Sequence, residues 1–232
     1  MTNSNPTDPE LKEQSTRAPR DAKYNLTERI RQKIIRENLP EGGPLREEAL
    51  AREFSVSRPR VREALAVLEE RGLVERIRNK GAVVATLSDR EVSELFAVVE
   101  VVEALCVREA TRNAPRETWE EARSWFGAEA EAAVKRGRID VYESVLNRYR
   151  ALIIDAADNN ILRDIMDGLY DRIRVLVRRL LLVPDRAMIG IHEHRAILDA
   201  MCRDDPEEAE RLARENLRSA RRSIELYRRF LS

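Results

Sequence analysis

Two histidines and two cysteines are all that 232 residues supply of the side chains that most often hold transition metals, and each scarcity removes a class of chemistry. Cys106 and Cys202 lie far apart in stretches of helical periodicity and show no CxxC spacing, which leaves a disulfide framework and a structural zinc site unsupported and fits a reducing compartment. Both read as small core residues. His192 and His194 stand two apart, and on a helix such positions face different directions, so the two cannot chelate one ion. Nor do they form the HExxH pair of a metalloprotease, because Ala196 occupies the place of the second histidine. Glu-x-x-His pairs, a nucleophile elbow and a Gly-rich phosphate loop are absent too, so neither an enzyme nor a cofactor is expected. No apolar run approaches the roughly 18 residues of a membrane span. The opening MTNSNPTDPELKEQSTRAPRD lacks the apolar stretch of a secretory signal, and the expected location is the cytoplasm, away from any membrane.

Aromatics at 5% against charged residues at 36% describe a helix-rich chain covered in Arg, Glu and Ala rather than a β-protein. The length exceeds a typical single domain, so two domains are expected. A net charge of zero hides an asymmetry: residues 20–88 hold 15 basic and 11 acidic residues, a net of +4, which the remaining segments offset. A mildly basic unit joined to a mildly acidic one suits a nucleic-acid reader carried by a domain with another task.

Residues 1–22 are polar, Pro-containing and aperiodic, and read as a disordered tail. Asn25–Asn38 then shows a helical stripe anchored on Ile30 and Ile34, with Asn25 and Glu28 as a cap signal. Pro40, Gly42, Gly43 and Pro44 break it, and Glu47–Phe54 follows as a short helix with Leu50 and Phe54 one turn apart. Ser57 is the natural N-cap of a third helix whose buried stripe is Val61, Leu65 and Leu68 and which Gly72 closes. Two β-branched segments, Leu73–Ile77 and Ala82–Leu87, joined by Arg78, Asn79, Lys80 and Gly81, make a hairpin.

Three helices, a tight turn before the third, and then a hairpin is the order of a winged helix-turn-helix. Arg58, Arg60 and Arg62 gather in the first turns of the third helix, where base edges and phosphates of double-stranded DNA would lie. Pro59 sits where a missing N–H costs little, and the Ser57 hydroxyl with the free N–H groups of that turn suits a phosphate. Arg78, Lys80 and Gly81 form a basic wing tip able to follow the backbone. An Arg-rich helix alone is more often a solvated face, but here the run coincides with a cap, a preceding helix and a hairpin.

LREEALAREFSVSRPRVREALAVLEERGLVERIRNKGAVVA resembles the GntR family of regulators in Leu50-Ala51, Val56 to Arg58, Val61 to Leu65, Gly72 to Val74 and the wing glycine Gly81. Where the family commonly has Ser-Arg-Thr-Pro-Val-Arg, this chain has Ser57-Arg58-Pro59-Arg60-Val61-Arg62. The proline stands one place earlier and Arg60 replaces a hydroxyl donor, a departure that bears on the operator read.

From Ser88, which forms a capping box with Glu91, helical periodicity continues to the end, and breaks near 113–115, 137, 158–160, 183–185 and 204–206 give about six helices. This part is similar to the FadR-type ligand-binding domain of the same family, in Asn159, in Glu193-His194-Arg195-Ala196-Ile197-Leu198 and in the final Ala-rich helix. Many members hold a divalent metal there with one Asp and three His. Those four places are Leu146, Arg150, His194 and Asn216 here, so the resemblance leaves one ligand of four and no metal is expected.

Helical wheels turn Arg150, His194 and Asn216 inward, and an inward cation must be paired. One reading is a metal-free pocket in which Arg150 receives the carboxylate of a small anionic effector, with His194 and Asn216 as hydrogen-bond partners. The other pairs Arg150 with Asp155 or Glu193 and makes His194 a satisfied core histidine. The expected fold is thus mainly α: a winged helix-turn-helix over 23–87 and an all-helical effector-binding and dimerisation domain over 88–232. The expected function is a homodimeric transcription regulator, a repressor whose ligand modulates operator binding. A DNA-binding architectural protein with no ligand, or an enzyme with a regulatory head, are the alternatives.

Overall fold

The computed structural model describes residues 18–37, 39–183 and 185–231, and the chain divides into two compact units between Thr86 and Leu87. The first unit opens with α1 (Ala18–Arg36), whose Leu26, Ile30 and Ile34 are buried. Of the tail expected over 1–22, residues 1–17 lie outside the described residues, while 18–22 are helical, so helix replaces tail there and Asn25 lies inside α1 rather than capping it. The reason is local: Pro19 in an opening turn gives up no hydrogen bond, and the Ala and Lys around it are good helix formers. α2 (Glu47–Phe54) starts on two glutamates that suit the positive end of a helix dipole and ends on Ser55, whose φ of 55° turns the chain into the left-handed region. α3 (Arg58–Glu70) follows after Val56 and Ser57, and Val61, Ala64, Leu65 and Leu68 face α1 and α2.

The hairpin pairs β1 (Val74–Ile77) with β2 (Gly81–Val84), Val74 opposite Val84 and Ile77 opposite Gly81. The second strand stops three residues short of the expected Leu87. Its free edge is met by the segment before α2. The Gly42 N–H donates to Val84 O (2.8 Å), the Leu45 N–H to Ala82 O (2.8 Å), and the Val84 N–H to Gly43 O (2.9 Å). Pro40 to Pro44, legible in sequence only as a breaker, therefore also completes the ladder.

The second unit is helical throughout the described residues: α4 (Asp89–Asn113), α5 (Arg116–Trp125), α6 (Ala128–Lys135), α7 (Ile139–Ala156), α8 (Asn160–Leu180), α9 (Arg186–Cys202) and α10 (Pro206–Leu231). The capping box forms as expected: the Glu91 N–H donates to Ser88 Oγ and the Ser88 N–H to Glu91 Oε2. One break beyond those expected falls at Phe126 and Gly127, between α5 and α6. Phe126 is fully buried, and a Cβ on Gly127 would stand 2.9 Å from the Ser124 carbonyl, so only glycine fits this corner. α4 packs against α7, α8 and α10, and α9 against α5, α6 and α10. Trp119, Phe126, Tyr142 and Tyr149 are buried in the core between them. The mainly α architecture with a small two-stranded wing is the one expected. No helix among the described residues is long and apolar enough to cross a membrane.

Candidate functional site

The N-terminal turn of α3 is built to be polar and open. Ser57 caps it with extended backbone (φ −73°, ψ 151°), yet its hydroxyl accepts no capping bond. Pro59 explains half of this, because it removes one of the two N–H groups such a hydroxyl usually takes. The first turn carries no acidic residue. Arg58, Pro59, Arg60, Arg62 and Glu63 form the exposed face opposite the buried stripe. Arg58 and Arg62 share one side of it at i, i+4, and Arg60 occupies the other shoulder.

The three arginines are not equivalent. Arg62 is tied to α2: its Nε and Nη2 donate to the two carboxylate oxygens of Glu47 at 3.0 and 2.8 Å. Those bonds hold the Glu47 carboxyl below the usual range, with burial pushing the other way and the Arg62 charge adding to the fall. Arg62 thus ties the head of α3 to α2, a partner no periodicity reveals, whereas Arg58 and Arg60 form no ion pair among the described residues. In the wing, Arg78, Asn79 and Lys80 make a three-residue loop that is exposed throughout. Asn79 (φ 68°) and Gly81 (φ 81°) are left-handed, and Gly81 is where the glycine is needed to re-enter the ladder. Arg78 and Lys80 carry no ion pair among the described residues either.

In the helical unit Arg150 of α7, His194 of α9 and Asn216 of α10 are all buried and line one interior cavity of about 30 Å3, closed on the far side by apolar residues of α8. Neither expected carboxylate pairs with Arg150. Asp155 accepts from Arg163 at 2.6 Å, and Glu193 Oε2 accepts from Arg186 Nη1 at 2.8 Å and from Asn216 Nδ2 at 2.7 Å. Arg150 lies 5.0 Å over the Tyr170 ring, its Nε has no partner, and the acid nearest in effect is the buried Glu103 of α4. Burial raises the Glu103 carboxyl above its ordinary range, and the Arg150 charge draws it partly back.

His194 donates from Nδ1 to the Gly190 carbonyl at 2.7 Å, which fixes the tautomer and leaves Nε2 as an acceptor. Its ring stacks on Phe126 (5.0 Å, 2°) and meets the edge of Tyr149 (5.1 Å, 88°). Burial drags its pKa down to about 3, against the Gly190 bond, with the Arg150 and Arg186 charges adding to the fall. The imidazole is therefore neutral. Gly190 lets the Tyr142 hydroxyl approach α9, since a Cβ there would lie 2.5 Å from that oxygen.

Arg186 and Glu193 escaped sequence reasoning as a pair, although Arg186, Gly190 and His194 recur at i, i+4 and i+8 on α9, a stripe that marks all three as inward. Asn216 also lines an open groove of about 470 Å3 between α9 and α10, with Glu193, Arg218 and Arg222 on its walls. The Asn216–Glu193 hydrogen bond lies where groove and cavity meet.

Two family models match the chain: residues 23–84 fit the bacterial regulatory proteins of the gntR family, and residues 94–219, more than half the chain, fit the FCD domain. The chain belongs to the GntR family. Among its relatives is the "Probable D-xylose utilization operon transcriptional repressor" of Paenarthrobacter nicotinovorans, 30% identical over 76% of this chain and 77% of that one. Another is the HTH-type transcriptional regulator YdhC of Bacillus subtilis (strain 168), 27% identical over 78% and 80%. The fold is that of E. coli McbR/YncC, with a TM-score of 0.76 at 18% identity, covering 90% of this chain and 98% of that one. This GntR protein is a DNA-binding transcription regulator with operator DNA as its partner, and not an enzyme.

The metal that many GntR proteins of the FadR type hold does not fit the residues present. Leu146 offers no donor atom, Arg150 puts a cation where an ion would sit, and Asn216 is engaged with Glu193. Among the described residues no group of three His, Cys, Asp or Glu could hold a metal ion.

Proposed function

We propose that this GntR protein is a cytoplasmic, homodimeric repressor whose helical domain takes a small carboxylate-bearing effector without a metal. The observation that carries this reading is Arg150: a buried guanidinium with no ion pair among the described residues, its Nε unpartnered, lining a cavity. A planar fork in that position suits a carboxylate. The neutral His194, with Nε2 left to accept, suits a hydroxyl donor on the same ligand, which points to a hydroxy or sugar acid.

At about 30 Å3 the cavity holds roughly two waters, far below the roughly 300 Å3 or more of ligand pockets. The effector must therefore open it, and the groove beside Asn216, with Arg218 and Arg222 on its walls, is the entrance. Closed and opened arrangements supply the two states whose populations a ligand shifts. A thermal-shift screen with D-gluconate, other hydroxy acids and neutral D-xylose tests the pocket. A hydroxy acid is expected to raise the melting temperature of wild type and to lose that effect in Arg150→Ala. A shift that survives Arg150→Ala, or one given by the neutral sugar alone, rejects the anionic site, and silence across the panel favours a DNA-binding protein without ligand.

Operator contact falls to Ser57, Arg58 and Arg60 at the head of α3, to Arg78, Lys80 and Gly81 in the wing, and to Arg62 as the residue that orients α3. On DNA selected from a genomic pool, Arg58→Ala and Arg60→Ala are each expected to cost about 1–3 kcal/mol, roughly 5- to 150-fold in Kd. Arg78→Ala and Lys80→Ala should weaken all sequences alike and shallow the salt dependence by about 0.9 for each phosphate no longer neutralised. Anisotropy titrations at several salt concentrations separate the two patterns; equal sequence dependence for all four variants rejects this division of labour.

A further inference from the structure

The charges inside the helical unit balance before any ligand enters it. Arg150 and Arg186 line the cavity, and the carboxylates of Glu103 and Glu193 offset them from off its wall. The two pairs are built differently. Glu193 bonds Arg186 directly at 2.8 Å and also accepts from Asn216. Glu103 of α4, 6% exposed, meets Arg150 only through Tyr170 of α8: the Tyr170 hydroxyl donates to the Glu103 carboxylate, and the Arg150 guanidinium lies 5.0 Å over the same ring. Glu103 Oε2 and Arg150 Nε are both buried without a partner. The other titratable groups about Glu103 are Cys106 on α4 and Tyr149 on α7. α10, also packed on α4, turns Arg214 and Arg218 to Glu100 instead, so Arg150 is the cation that acts on Glu103.

We infer that an anionic effector enters this site together with a proton, and that the proton goes to Glu103. The inference rests on the carboxylate-effector reading above and adds to it how the incoming charge is neutralised. A carboxylate that takes the Arg150 fork leaves Glu103 as a buried charge with nothing to offset it, a state that a low-dielectric interior does not keep. The Glu103 carboxylate then takes one proton from solvent at the unpartnered Oε2 and becomes a neutral acid, with no other bond formed or broken. Glu193 is the poorer acceptor, since a proton there would strand Arg186. Burial and the charges of Arg150 and Arg186 hold His194 neutral. Burial has already raised the Glu103 carboxyl above its ordinary range, which brings it part of the way.

Calorimetry of the full-length protein, with D-gluconate and the other hydroxy acids of the thermal-shift panel as probes, counts the protons when run in buffers of different ionisation enthalpy. Wild type is expected to take up about one proton per acid bound and to bind roughly tenfold more weakly for each unit of rising pH. Glu103→Gln, neutral at every pH, should bind without uptake and with an affinity flat in pH. A second measurement needs no effector. In Arg150→Met the same balance makes Glu103 take a proton, so infrared spectra at neutral pH should show a protonated carboxyl band that wild type lacks and that adding Glu103→Gln removes. Binding without proton uptake, uptake that persists in Glu103→Gln, or the Glu103 band already present in wild type each overturns the inference and leaves the anionic site standing. Silence across all the acids overturns both.

Discussion

Glu193→Ala is expected to lower the unfolding free energy of the helical unit by about 3–5 kcal/mol, although the residue is remote from the DNA-reading head in sequence and is one partly exposed side chain among many. The expectation comes from what is left behind. Arg186 is 5% exposed, and its Nη1 bonds to Glu193 Oε2, the same oxygen that accepts from Asn216. Removing the carboxylate strands a guanidinium that is costly to keep away from water, and it frees a buried amide as well. The loss therefore exceeds the net worth of the pair, since an intact buried ion pair only about balances its own desolvation.

That asymmetry supplies the control. Arg186→Met in the Glu193→Ala background removes the stranded charge and should recover most of the lost stability, whereas Arg186→Met alone should cost less than Glu193→Ala. Both tryptophans of the chain, Trp119 and Trp125, lie on α5, so fluorescence in a urea titration reports the helical unit alone. A shift of roughly 6–20 °C in Tm should accompany the loss for a domain of this size. If Glu193→Ala unfolds within about 1 kcal/mol of wild type, Arg186 reaches water by another route and the pair is not a structural tie. The same variant bears on ligand entry, because it breaks the Asn216–Glu193 bond between groove and cavity. A destabilised domain that nevertheless takes up hydroxy acids faster in stopped flow would identify this bond as the gate.

The ease with which parts of the molecule could be read follows the range of the interactions that make them. Local chemistry was legible: α2 spans the residues its Leu50 and Phe54 spacing gave, Ser88 and Glu91 form their capping box, and Pro59 sits in the first turn of α3. The start of α1 was not, because Pro19 reads as a breaker in a polar run when its place in an opening turn makes it compatible with helix. Helical periodicity was enough to turn Arg150, His194 and Asn216 inward, and their three helices bring them to one cavity. Partners were the illegible part. That Arg62 holds Glu47, that Glu193 belongs to Arg186, and that Glu103 of α4 is the acid Arg150 feels all depend on the crossing of elements far apart in sequence. No spacing rule encodes such crossings. The carboxylates that sequence offered to Arg150 bond instead to other arginines, Asp155 to Arg163 and Glu193 to Arg186.

Acidification should destabilise the helical unit through His194, by about 3 kcal/mol between pH 7 and pH 4. In the unfolded chain a histidine gains its proton near 6.5, whereas burial among Phe126, Tyr142 and Tyr149, with Arg150 and Arg186 close by, holds His194 neutral down to about 3. Between those values the unfolded state binds a proton that the folded state refuses, so stability falls with pH by up to about 1.4 kcal/mol per unit. Glu103 works in the opposite sense. Its carboxyl is raised by burial, so the folded state takes that proton first and gains stability as pH falls towards the ordinary carboxylate range. A bare stability profile therefore mixes the two, and the informative quantity is the difference between wild type and His194→Asn, which keeps Glu103 and removes only the imidazole. Urea titrations across this range should show the wild type losing roughly one proton's worth of slope more than the variant. Parallel curves would mean that the folded His194 titrates near its ordinary value, and an imidazolium beside Arg150 and Arg186 would give the cavity a third cation. A neutral His194 instead leaves Nε2 able to accept, which is the protonation state that the proposed hydroxy-acid effector requires of it.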